Sequence, residues 1–154
     1  KSDFHKAFNW YSLAAQKGNA LAQCKVGIMH FKGLGAALSP KLAYWWLKPS
    51  AEQGNGEAQF SLGILYVQGI KNSDIPKDFF RAHILFNLAS SHASDPEIRS
   101  KALEARDLLS KKMRYDTVLE AQRQAKIWKP KKIPYIPISK INDPGVFPEF
   151  EKKW

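Results

Sequence analysis

The chain has 154 residues, a formal net charge of +10 and one cysteine. That length suits one domain with a continuous core, the lone Cys24 excludes an intramolecular disulfide, and no run of about eighteen apolar residues could span a membrane. A basic chain of this kind admits an acidic protein, an anionic surface or nucleic acid as partner.

Ala7, Trp10, Tyr11, Ala14 and Ala15 follow the i, i+3, i+4, i+7, i+8 spacing of one buried stripe, which predicts a first helix. Gly18 tolerates the left-handed conformation at a helix end, and Asn19 is a strong N-cap for the next helix. Ala22, Val26, Met29 and His30 continue a second stripe, broken by Gly33 and Gly35. This unit then returns. Ala7, Trp10, Ala15, Gly18, Asn19, Ala22, Gln23, Gly27, Ile28 and Gly33 recur 36 positions later as Ala43, Trp46, Ala51, Gly54, Asn55, Ala58, Gln59, Gly63, Ile64 and Gly69. A period in this range, carried by small and aromatic residues at fixed offsets, marks a solenoid whose units bury their apolar faces against one another. The alanines and glycines let helix backbones approach, and Trp10 and Trp46 are expected to fill the space beside them. Pro49 removes a backbone donor inside a helix, so the axis is expected to bend there.

A third unit follows a longer connection, residues 72–78. Its first helix is predicted through Phe79, Ala82, Leu85, Phe86 and Ala89. Asp95, Pro96 and Glu97 then open a helix with proline and acid in its first turn, and Ile98, Ala102, Ala105, Leu108 and Leu109 supply the expected buried stripe. A last helix over 115–128 carries Val118, Leu119, Gln122, Ala125 and Trp128. Beyond Pro130, prolines exclude a helix and favour an extended path, and Ile133, Tyr135, Ile136, Phe147, Phe150 and Trp154 suit a strip docked on the helices better than an inert linker. The alternative is a mobile ligand for a partner. The sequence therefore reads as seven helices and no strand.

The runs from Trp10 to Gln23 and from Ala51 to Gln59 resemble the WYxxAAxxGxxxAQ core of the Sel-one-like repeat family, a branch of the tetratricopeptide-type α/α solenoids. Residues 105–130 are similar to the closing helices of its bacterial members. The resemblance implies an all-α, right-handed α/α superhelical solenoid of tandem helix-turn-helix repeats. The expected domain covers residues 1–130, with units of about 3–38, 39–76 and 77–112 and a closing helix over 115–128, followed by a Pro-rich tail over 131–154. Residues 1–6 are similar to a linker between repeats, so the chain is expected to be the C-terminal part of a longer protein. Some bacterial members pair two cysteines per repeat; with Cys24 alone, that staple is missing here. The compartment stays open between bacterial cytoplasm, periplasm and exterior.

The resemblance also implies an adaptor or scaffold that binds a protein or peptide, with the first helix of each pair lining the concave face. Positions there that the packing pattern leaves free are Phe8, Asn9 and Ser12, then Tyr44, Trp45 and Lys48, then His83, Ile84 and Asn87. Trp45 is the sharpest candidate, because a second tryptophan beside Trp46 is surplus to packing and exposed aromatics make preferred hot spots. The competing expectation is that it packs beneath Pro49 or the tail.

Other chemistry is sparse. His5, His30, His83 and His92 lack metal-ligand spacing, and no phosphate loop or nucleophile elbow occurs; no cofactor is expected. A hydrolase acting on cell-wall-like or β-lactam substrates, suggested for some relatives, is the second reading, although no serine with a neighbouring base can be named. Residues 111–132 hold eight basic and two acidic residues. That closing-helix excess supports a third reading, binding of nucleic acid or an anionic surface, but Arg114, Arg123 and Tyr115 are too few for the aromatic and arginine interleaving that nucleic acid requires.

Overall fold

The structure, a computed structural model, describes residues 2–132; the expected docking of the Pro-rich tail concerns residues 133–154, which lie outside the described residues. Seven helices follow one another: α1 (Ser2–Gln16), α2 (Ala20–Lys32), α3 (Pro40–Glu52), α4 (Gly56–Gln68), α5 (Phe79–His92), α6 (Pro96–Ser110) and α7 (Tyr115–Ile127). Each helix packs on the next through α6, most extensively α2 on α3 and α4 on α5, and α7 returns to lie on α5.

The helix ends follow from local chemistry. Asn19 and Asn55 accept the amides of Ala22 and Ala58, both at 2.9 Å, while Gly18 and Gly54 turn the preceding helix at φ 93° and 100°. Ser39, Asp78 and Asp95 cap α3, α5 and α6 in the same way. In the third unit Ala93, with an extended backbone, replaces the Gly-Asn turn. α3 runs unbroken through Pro49, whose carbonyl accepts the Gln53 amide at 3.1 Å.

The repeated small residues are contact points. A Cβ on Gly27 would sit 2.6 Å from Leu47 Cγ, and one on Gly63 would sit 2.6 Å from Phe86 Cε1. Leu47 and Phe86 are equivalent positions of successive units, so the same knob meets the same hole twice. The main core joins Cys24, Ala43, Leu47, Leu62, Leu65, Leu85, Phe86 and Leu109. A second cluster sets Trp45 and Trp46 against Ala15, Ala22 and Val26, and a third sets Ile84 and Leu88 against Ala121.

Several packing expectations need correction. Trp10 is 75% and Tyr11 37% exposed, whereas Trp46 is 3% exposed. The reason is directional: Trp46 packs backwards onto α1 and α2, and Trp10 belongs to the first described helix. On α6, Leu109 is buried but Leu108 is exposed. On α7, Ala121 is the buried residue and Leu119 is exposed, because a single helix lying on α5 presents a narrower stripe than a helix gripped on two sides.

Candidate partner-binding groove

The odd-numbered helices α3, α5 and α7 border two adjoining recesses. The smaller, about 150 Å³, is lined by Tyr44, Lys48, Tyr66, Asp74, Ile75, Pro76, Asp78 and Arg81. Its walls are mutually ordered. The Tyr44 and Tyr66 rings meet edge to face at 5.9 Å with their hydroxyls 3.3 Å apart, and Lys48 Nζ donates to the Tyr44 hydroxyl at 3.4 Å. Lys48 also lies 5.7 Å from the centre of the Tyr44 ring and Arg81 lies 6.0 Å from that of Tyr66, where the ring faces attract cations. Arg81 is fixed by Asp78, which takes both its backbone amide and its guanidinium, the latter at 2.7 Å.

The larger recess, about 590 Å³, shares Arg81 with the smaller and is lined by Phe80, Arg81, Ile84, Gln124, Ile127, Trp128, Lys129, Pro130 and Lys131. The chain leaving α7 is anchored there. The Lys131 amide donates to the Glu52 carbonyl at 2.8 Å, the Trp128 ring lies 5.2 Å from that of His92, and Trp128 and Pro130 border the turn at Gly54.

These contacts redistribute the expected partner-binding positions. Tyr44 and Lys48 line the small recess and Ile84 the large one, all three being buried. Trp45, at 8% exposure, packs in the cluster around Ala15 and Trp46, so its indole serves the joint between units. Phe8 is half-buried, edge to face with His30 at 5.4 Å; Asn9 is exposed; Ser12 is half-buried. His83 and Asn87 turn toward α6, where His83 Nε2 lies 2.9 Å from Ser110 Oγ and Asn87 Oδ1 accepts from Arg106 at 2.9 Å. Arg81, Phe80 and Trp128 were missed as site residues. Neither Arg81 nor Phe80 occupies a position carried by the repeat pattern, and Trp128 reads as core until the chain after α7 is seen to fold back.

His83 and Ser110 form a serine–histidine pair that 27 residues of separation hid from motif reading. Ser110 Oγ also lies 3.0 Å from the Arg106 carbonyl, which can take its proton, and the His83 ring is fully buried. Among the described residues no three His, Cys, Asp or Glu side chains are grouped to hold a metal, and no helix is long and apolar enough to cross a membrane.

This succession of packed helices makes the molecule an all-α helical-repeat solenoid. The Sel1 repeat family matches residues 1–19, 20–55 and 56–94, and the chain belongs to that family. No curated protein matches the chain. Among solved structures it is similar to c5321, a protective antigen present in uropathogenic Escherichia coli strains and displaying an SLR fold, with a TM-score of 0.66 and 23% identity over 86% of this chain. The chain spans 30% of that protein's length, and the likeness shows the fold.

Proposed function

We propose an interaction role for this chain, since proteins built of Sel1 repeats are generally protein-interaction modules. It acts as an adaptor or scaffold that takes a protein or peptide segment in the groove bordered by α3, α5 and the end of α7, with Tyr44, Lys48, Arg81 and Ile84 among its contacts. The observation that supports this reading is Arg81, which lines both the polar recess and the apolar one. A segment of several residues could lay one side chain in each. The boundary of the repeat domain near residue 130, followed by a separate tail, belongs to the same proposal.

Photo-crosslinking tests it. A crosslinker at Gln124, in the groove, should capture a native partner, whereas one at Ser100, on the exposed side of α6, should not. Equal capture at both positions would contradict the proposal.

A further inference from the structure

The larger recess has a composition that restricts its ligand. Its lining is apolar at Phe80, Ile84, Ile127 and Trp128 and basic at Arg81, Lys129 and Lys131, with no carboxylate. Arg81 is already paired with Asp78, but Lys129 and Lys131 are exposed and enter no ion pair among the described residues. Acids elsewhere on α7 are used locally: Glu120 is paired with Arg123, and Asp116 with Arg114. Lys129 and Lys131 therefore leave the lining of the cleft positively charged among the described residues.

A volume near 590 Å³ lies within the range of pockets that hold a ligand group, and it is wide enough for one bulky side chain and its neighbour. The walls are held by the Lys131–Glu52 backbone bond and the Trp128–His92 contact, so the cleft is formed before a ligand arrives. Resting on the proposed interaction function, we infer that this cleft binds an acidic segment of a partner protein, with a large apolar or aromatic side chain inserted between α5 and α7 and flanking carboxylates on Lys129 and Lys131. The apolar insertion supplies affinity, and the lysines supply steering and choice of partner.

The test uses the full chain and a fluorescein-labelled octapeptide with a central tryptophan flanked by glutamates. Fluorescence anisotropy should show saturable binding, weakened about tenfold or more by the Lys129→Glu, Lys131→Glu pair through charge repulsion, and similarly by Ile127→Asn. Ile127 is 57% exposed, so its replacement leaves folding intact, which circular dichroism verifies. Peptides with lysine for glutamate, or alanine for tryptophan, should bind at least about tenfold more weakly. Equal binding of the tryptophan-free peptide would reduce the cleft to a nonspecific anion surface and overturn the inference. A Tyr135→Ala, Ile136→Ala chain that binds the probe more than about tenfold tighter would assign the cleft to the chain's own tail and also overturn it. If Gln124 still crosslinks a native partner while the probe fails to bind, the ligand class falls and the interaction function stands.

Discussion

His92 occupies, one repeat further on, the station of Gln53: Gln53 Nε2 donates to Gln23 Oε1 at 2.8 Å, and His92 Nδ1 meets Gln59 Oε1 at 3.0 Å. In each case the central glutamine also reaches backwards, its amide donating to the Ala15 carbonyl at 3.1 Å or the Ala51 carbonyl at 3.2 Å. A carbonyl can only accept, which fixes both amide orientations and makes His92 Nδ1 the donor. One side chain thus ties three successive helices, twice. Replacing either glutamine with alanine removes two hydrogen bonds at a buried position, although the Ala15 and Ala51 carbonyls keep the amides of Gly18 and Gly54, and should cost about 1–3 kcal/mol. His92→Gln should stay within about 0.5 kcal/mol of wild type, while His92→Ala should lose about 1 kcal/mol. Urea denaturation measures all four.

Gly27 and Gly63 predict overpacking. Alanine at Gly63 meets the Phe86 ring and should destabilise by about 1–3 kcal/mol, despite alanine's higher helix propensity. Phe86→Leu in the same chain should recover part of the loss, a coupling that a double-mutant cycle reads directly.

The two equivalent tryptophans separate packing from exposure. Trp46→Ala should cost about 3–5 kcal/mol, and Trp10→Ala less than about 0.5 kcal/mol in this chain. Thermal unfolding of both variants would test the contrast, and comparable losses would contradict it.

Acid should loosen the fold through His83. Burial, then the Arg106 guanidinium, lowers its pKa, with Asp107 opposing, and burial lowers that of His92. The unfolded chain takes up protons near pH 6.5 while the folded one resists, so stability is full above that value and is lost as pH falls below it toward the folded-state pKa values. Protonation of His83 would also bury an Nδ1–H with no acceptor in place. Melting temperature should therefore fall from about pH 7.5 to about pH 5, and His83→Gln should flatten the decline. An unchanged slope in that variant would remove His83 as the cause.

Cys24 should be inert while the chain is folded. Burial foremost, and the Glu57 carboxylate next, push its thiol far above the ordinary range. Labelling by a thiol reagent should run roughly 10³-fold or more slower than in denaturant, following the unfolded population.

The helices were legible because their signals are local: Gly18 and Asn19 announce a turn and a cap within two residues, and the doubled motif marks Gly27 and Gly63 as points of close approach, although Leu47 and Phe86, not the tryptophans, meet them. The groove was less so. Tyr44, Lys48 and Ile84 were reached by assuming that odd helices share a face, but Trp45 looked surplus because its packing partners belong to the preceding unit. Arg81 and Trp128 acquire their places from Asp78, His92 and Glu52, contacts that no periodicity encodes. Leu108 and Leu119 misled for a related reason: α6 and α7 each rest mainly on α5, so only a narrow side of each is buried.

The connection between α2 and α3 spans residues 33–39, whereas that between α4 and α5 spans 69–78. The added length is folded inward, with the Ile70 amide on the Ile75 carbonyl, the Asp78 amide on the Tyr66 carbonyl, and Ile75 buried against the core. Asp74, Ile75, Pro76 and Asp78 from this connection wall the smaller recess and orient Arg81. The second inter-repeat joint consequently differs from the first in length and in the walls it builds, although the helices on either side repeat the same pattern.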